Sequence, residues 1–407
     1  MEKRFRLRAA GTVLPGTAII LPPLTLFAPL GAAPVLVVAA LALLALDWRR
    51  CREGVAASMG LAVLLIALGL WGTASATWSI IPGHSFFEGV RFLAESIGGL
   101  AITGAALAAP PAERRRVAIG LTIGVGLALG LMTIERFAGM PLTHLGLGLP
   151  FDTVVPLTRF DRGLTVLVLA LWPALLAQPG WWRRLLLMTA VLALALTMLS
   201  VTAILATLLG IAIFAAAYFA PRLVAGAMIA GLVTLAIAIP VATPSDDQVL
   251  ALRADAPWIK ASAIHRLLIW RFGADHVAER PLLGWGMDSS RALPGGKTDL
   301  NVMLPTLHYG GPIEAMPLHP HDAALQWQLE LGVPGLALSL AIVSWILYRV
   351  GWQAPLARDR RAGALALTGA ALLVGLLSFG VWQAWWQSTL WLVAALYAAV
   401  GETRRAP

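Results

Sequence analysis

The sequence predicts an all-α polytopic membrane protein with about twelve transmembrane helices and a large extramembrane loop between the ninth and the tenth. Three observations carry that expectation. Hydrophobic residues make up 59% of the 407 and charged residues only 13%, against about 25% charged in soluble globular chains. Apolar runs of about 17 to 25 residues recur along most of the chain, each long enough to cross about 30 Å of hydrocarbon. The dyad alternation of a membrane barrel is absent, so backbone polar groups must pair within helices.

Spans are expected near 11–29, 31–46, 55–74, 91–109, 117–134, 162–178, 185–200, 203–220, 223–241, 325–348, 363–381 and 386–400. The N-terminal MEKRFRLRAAGTVLPGTAIILPP has the basic start and apolar run of a signal peptide. It reads as an uncleaved first span, because membrane spans follow at once and no small-residue cleavage site stands out. With no internal repeat or low-complexity stretch, the chain divides into 1–241 (nine spans), 242–324 (the loop subdomain) and 325–407 (three spans and a tail), one integrated membrane domain.

Orientation follows from the basic residues. With both termini cytoplasmic, nineteen of the thirty Lys and Arg fall on the inner side, among them Lys3, Arg4, Arg6, Arg8, Arg114 to Arg116, Arg358, Arg404 and Arg405. The short outer segments hold only Arg91, Arg136, Arg159 and Arg162. This is the positive-inside bias. It accounts for the net charge of +9 without a nucleic-acid partner. The tryptophans and arginines of QPGWWRRL anchor a span end, and the lone Cys51 has no partner for an intramolecular disulfide.

The loop from about 242 to 324 carries five of the seven histidines (His265, His276, His308, His319, His321), seven basic and nine acidic residues. Connectors this long between helices are more often functional than idle. Within it, IKASAIHRLLIWRFGADHVAERPLLGWGMDSSR (259–291) has helical spacing up to about Arg280. Ile264, Leu267, Leu268 and Phe272 form a stripe, and Pro281 ends the run. Ser262, Arg266 and Trp270 stand four apart on another face. The bland alternative is an amphipathic helix on the outer leaflet, with Arg266 and Arg271 reaching lipid phosphates.

The second informative stretch is HPHDAALQWQLELGVPG (319–335). Pro320 restricts His319 to an extended backbone, and Asp322 suits the cap of a helix beginning at Ala323. His321 then lies at the positive end of a helix dipole, which attracts anions and disfavours imidazolium, leaving a ring able to accept a proton. A plain structural cap is the alternative.

These stretches resemble the O-antigen ligase and polymerase superfamily of bacterial inner-membrane glycosyltransferases. The likeness lies in the histidine followed by a small polar residue and LQWQLELGVPGL, in HRLLIWRFGADHVAERPLLGWG, and in FDRGLTVLVLALWP (160–173). The loop motifs and the arginine span look closest to ligase-type members. The resemblance implies a GT-C-like fold and a glycan passed, without metal or cofactor, from undecaprenyl pyrophosphate to a lipid A-core hydroxyl, or to another glycan in a polymerase. It also implies an active site facing the periplasm. The family's essential histidine corresponds to His321 and its arginines to Arg162 and Arg266. Many members have Asn where this chain has Asp322, whose charge would raise the pKa of His321.

On this reading Arg162 and Arg266 clamp pyrophosphate, since a guanidinium fork suits phosphate oxygens at any relevant pH. His321 acts as general base, with inversion at the anomeric carbon. Arg91, His319, Asp322, Trp270 and Arg271 are candidate substrate-binding residues. Simpler roles compete: Asp161 pairing with Arg159 or Arg162, Glu95 pairing with Arg91, and the intramembrane Glu330 hydrogen-bonding a kink near Gly332 and Pro334. His265, His276 and His308 read as ordinary loop residues. No histidine and carboxylate spacing suggests a metal site. A transporter is the rival class, but charges gather at one surface, with no paired midplane sites.

Overall fold

The computed structural model of the chain describes residues 2–302 and 313–400, the side chains of 2–8 and 302 apart. His308, Arg404 and Arg405 lie outside the described residues, as do the side chains of Lys3, Arg4, Arg6 and Arg8. The helices are α1 (Glu2–Phe27), α2 (Ala32–Ala57), α3 (Met59–Ala74), α4 (Pro82–Leu107), α5 (Pro111–Phe137), α6 (Pro141–Leu147), α7 (Asp161–Ala177), α8 (Trp181–Thr197), α9 (Val201–Phe219), α10 (Pro221–Ala242), α11 (Asp246–Asp255), α12 (Ala261–Glu279), α13 (Ala323–Tyr348), α14 (Arg358–Leu377) and α15 (Ala384–Val400). There is no β-strand among the described residues, and the protein is an all-α polytopic membrane protein. Proline opens α4, α5, α6 and α10, where its missing N–H costs nothing and its φ suits the first turn.

Ten helical stretches among the described residues are long and apolar enough to cross a membrane. The helices α8 and α15 have 17 residues each, about 26 Å at 1.5 Å per residue. Large apolar side chains such as Val37, Val38 and Leu41 on α2 and Val63, Ile66 and Leu70 on α3 face outward, as lipid requires. Inside, α1 packs on α5 and α2, α2 on α4, α14 on α9, and α13 on α3 and α10. At one crossing two glycines meet. A Cβ on Gly54 would fall 2.0 Å from the Gly104 Cα, so only the smallest residue lets α2 and α4 approach this closely.

Several expected boundaries move. The fourth helix begins at Pro82, not near 91, so Arg91 lies nine residues inside it. Hydropathy misses this start because the turns carrying His84 and Glu88 are polar, yet Pro82 nucleates them. For the same reason α14 begins at Arg358, five residues before the expected apolar start. The helix expected over 259–280 is α12, but it docks rather than floats. Ile269 and Val277 are buried with Leu325 and Leu329 of α13, while Ile264 and Leu268 pack with Val249 of α11 and with Leu300, Ile313 and Ala315 of the loop; α10 and α13 are neighbours of the helix.

Helix α13 breaks at Gly332, whose φ of 62° and ψ of −164° are closed to other residues. The break frees carbonyls that a continuous helix would consume, and each finds a donor. Leu329 O accepts from Trp285 N at 3.0 Å, Glu330 O from Gly286 N at 2.8 Å, and Leu331 O from Trp71 Nε1 at 2.9 Å. The kink is thereby the dock for the 280–291 loop.

Candidate functional site

The helices α4, α7, α13 and α15 all start at the same end of the bundle, under the α10–α13 connection. Early turns of α4, the starts of α7 and α15, the turn before α15 and that connection line one cavity of about 300 Å³, walled by Glu88, Arg91, Arg162, Asp288, Arg291, Trp382, Gln383 and Trp385, with Leu30 and Ala33. The opposite end holds structural ion pairs, Arg50–Glu113 at 2.8 Å and Arg184–Asp359 at 3.5 Å.

The turn carrying both histidines is held by three hydrogen bonds and one strained backbone angle. Asp322 caps α13, accepting from Leu325 N at 2.7 Å, as expected from its type and place. His321 has φ of 56°, a left-handed conformation that costs a non-glycine residue about 1 kcal/mol or more. Its N–H donates to His319 Nδ1 at 3.2 Å, and Trp270 Nε1 on α12 donates to Pro320 O at 3.0 Å. Trp270 therefore holds the turn from outside.

These bonds settle the tautomers. His321 Nδ1 lies 2.5 Å from Ser378 O; a carbonyl only accepts, so Nδ1 carries the proton and Nε2 keeps its lone pair. Burial, reinforced by Arg266 and His265 against the raising effect of the Ser378 carbonyl, brings the His321 pKa down to about 4. His319, buried beside Gly380, is held down to about 2 by burial, then His321, Arg291, Arg162 and Arg266. Both rings are neutral near pH 7. The expectation that Asp322 would raise His321 does not hold. The carboxylate faces the α13 amides and the imidazole faces Ser378, so desolvation decides. Asp322 itself is pushed up to about 7 by burial, against the backbone N–H groups of Leu325 and Ala324.

The arginines differ in availability. Arg162, at the start of α7, pairs with no carboxylate among the described residues. It is exposed to the cavity, with its guanidinium 5.7 Å from the Trp385 ring centre. The simpler reading, an Asp161–Arg162 pair, is not what forms. Arg266 lies within electrostatic reach of both His319 and His321, and its Nη1 approaches Ser262 O at 3.5 Å. Arg91 lines the same cavity as Arg162, yet it is engaged by Glu88, by Trp382 O and, at 3.9 Å, by Glu95. Arg271 is not brought to the cavity; it forms an ion pair with Asp275 on the exposed side of α12. His276 packs against Phe272 and Trp285, and His265 bonds Glu314 O at 2.8 Å.

Glu330 is fully buried and is a keystone. It accepts from Asp288 N at 2.7 Å, Ser290 Oγ at 2.5 Å, Gln326 Nε2 at 3.1 Å and Trp382 Nε1 at 2.5 Å. Gln326, one turn earlier, accepts from Val381 N at 3.0 Å. The LQWQLE motif thus ties the 285–290 loop and the 378–383 turn to one face of α13.

Sequence reasoning passed over Arg291, Asp288, Glu88 and His84. His84 Nε2 and Arg291 Nη2 both reach Asp288 Oδ2, at 2.8 Å and 2.5 Å. The run GMDSSR carried the signal: a glycine turn with an acid and a base three apart. His84, Glu88 and Asp288 also place ligand atoms within 4.8 Å of one another, a grouping the sequence did not suggest. Arg91 and Arg291 already neutralise its carboxylates, and two guanidiniums oppose a divalent ion there.

Residues 185–340 match the family model described as O-antigen ligase. That range contains Arg266, His319, His321 and Asp322 and leaves Arg162 outside. The chain is 29% identical over 294 residues to a Rickettsia conorii protein named "Putative polysaccharide ligase", covering 71% of this chain and 68% of that one. Proteins given the same name in Rickettsia bellii and Rickettsia typhi are 37% and 36% identical. Those alignments cover 32% and 34% of this chain and only 31% and 32% of the relatives. Together these findings support the O-antigen ligase superfamily, and a ligase-type member of it.

Proposed function

We propose that the protein is a glycosyltransferase of the O-antigen ligase type, moving a glycan from undecaprenyl pyrophosphate to a sugar hydroxyl of lipid A-core. The observation that carries this reading is the pairing of unlike groups at one end of the bundle. Arg162, a guanidinium with no carboxylate ion pair among the described residues, shares a cavity with Arg91 and Arg291; it lies within electrostatic reach of the neutral His319, and Arg266 within reach of both His319 and His321. A diphosphate needs cations, and a hydroxyl nucleophile needs a neutral base.

The acceptor oxygen attacks the anomeric carbon from the face opposite the diphosphate. Its proton passes to His321 Nε2, and the bond from anomeric carbon to phosphate oxygen breaks, with its electron pair leaving on undecaprenyl pyrophosphate. Arg162 and Arg266 meet the charge that remains, at fixed positions needing little reorganisation. Inversion follows from the direction of attack. The positive-inside bias supports a reading in which this end of the bundle faces away from the cytoplasm and both termini are cytoplasmic, which for a ligase of this type means the periplasmic side of the inner membrane.

The alternative is a polymerase that uses the same donor and extends a glycan. The names of the relatives favour ligation. Purified protein given a lipid-linked glycan and lipid A-core should yield capped lipopolysaccharide, and the yield should be unchanged by chelators. A ladder of lengthening glycan on the carrier, with the core untouched, would make it a polymerase. No turnover of the carrier in either assay would end the proposal.

A further inference from the structure

The cavity contains a third guanidinium that no motif assigned. Arg291 extends from the loop bolted to Glu330 and lines the same space as Arg162. We propose that Arg291 is a third ligand for the diphosphate of the lipid carrier, held ready by Asp288, which His84 steadies from α4. This rests on the donor class proposed above.

Charge carries the argument. The cavity lining holds three guanidiniums, Arg91, Arg162 and Arg291, against two carboxylates, Glu88 and Asp288. Without Arg291 the lining would be neutral, and a multiply charged diphosphate would enter a half-buried site with no net attraction. Arg291 is also better placed to respond than Arg91. Arg91 is engaged on several sides, whereas Arg291 keeps 38% of its side chain exposed and has one ion pair, through Nη2. The Asp288 oxygen that it binds also binds His84 Nε2. Asp288 therefore retains a partner when Arg291 turns a nitrogen toward phosphate.

Three features keep the group in place. The backbone N–H of Asp288 and the Ser290 hydroxyl are fixed on Glu330. Asp288 has φ of 55°, which turns the chain so that residues 288 and 291 face the same space. His319 is within electrostatic reach of Arg291 as well as of Arg162, and those two arginines line the same cavity.

The test measures binding of undecaprenyl pyrophosphate in detergent micelles, with undecaprenyl monophosphate as the comparison. It uses wild type, Arg291→Gln, Arg291→Lys, Arg162→Gln, Asp288→Asn and the double variant Asp288→Asn/Arg291→Gln, with Arg184→Gln at the opposite end as control. Arg291→Gln should weaken diphosphate binding at least about tenfold, as expected for a charge-assisted contact, and monophosphate binding less. Lysine should restore part of the loss, and Asp288→Asn, which loosens the hold on Arg291, should weaken binding less than Arg291→Gln does. The double variant should remain weak. Recovery of wild-type affinity in the double variant would mean that Arg291 merely neutralises Asp288, and the inference would fall. It would also fall if Arg291→Gln bound like wild type while Arg162→Gln did not, which leaves the proposed activity standing. Failure of wild type to bind the diphosphate would overturn both. A monodisperse size-exclusion profile for each variant separates lost binding from lost folding.

Discussion

The imidazole Nδ1 of His321, just before α13, lies 2.5 Å from the carbonyl oxygen of Ser378, just after α14. One hydrogen bond between two helix ends sets the tautomer and aims the other nitrogen. His321→Ala removes the base, and His321→Gln keeps a donor for Ser378 while lacking the basic nitrogen. Both should lower turnover about a hundred- to ten-thousand-fold with near-normal expression. Full activity in either, measured as lipopolysaccharide capping in a complemented deletion strain, would remove the assignment.

The pH dependence has a defined sign. Burial holds His321 at about 4, below the usual value of about 6.5, so the base stays available across the range where an exposed histidine would be lost. The rate at low donor concentration should fall only as pH approaches 4. An acid limb near 6.5 would contradict the burial. Folding stability moves in the matching direction: the contribution of this group is complete above about 6.5 and is lost as pH falls toward 4, because only the unfolded chain takes up the proton there.

Asp322 titrates the other way. Raised to about 7 by burial, its stabilising contribution is complete below the usual carboxylate value and is lost as pH rises through 7. Asp322→Asn caps a helix equally well and carries no charge. It should stay active and lose this pH dependence of thermal unfolding. Asp322→Ala should cost about 1 kcal/mol through the missing cap, read as a lower melting temperature in detergent.

Arg162 and Arg271 make a paired test. Arg162 faces the cavity and has no carboxylate ion pair among the described residues, whereas Arg271 is spent on Asp275. Arg162→Lys should lower turnover by at least about tenfold, because a point charge lacks the bidentate fork. Arg271→Gln should change turnover less than twofold, about what loss of an exposed ion pair permits. The reverse ranking would move the anion site onto α12.

Gly332→Ala probes the broken helix. Its positive φ costs a side chain about 1–3 kcal/mol, and the added Cβ would fall 2.1 Å from Leu282 O. The 280–291 loop would have to leave its dock. Protein that still folds should lose turnover and expose the loop to protease, whereas an active variant would show that the dock is dispensable.

Much was legible in the sequence. Hydrophobic runs reported the helices because lipid leaves the backbone no other partner, and the α13 cap could be read from Asp322 because a cap is a local event. His319, His321 and Arg266 stood out as polar residues in an ordered loop. What folding alone decided is which distant groups meet. Nothing within eighty residues of Arg162 announces that it will share a cavity with Arg291, or that Ser378 will orient His321. Those relations depend on helix packing, on the Gly332 break that gives the loop somewhere to bind, and on burial, which overrode the local charge of Asp322. Periodicity and capping act over a few residues and survive in one dimension; desolvation and electrostatic reach are properties of the packed volume.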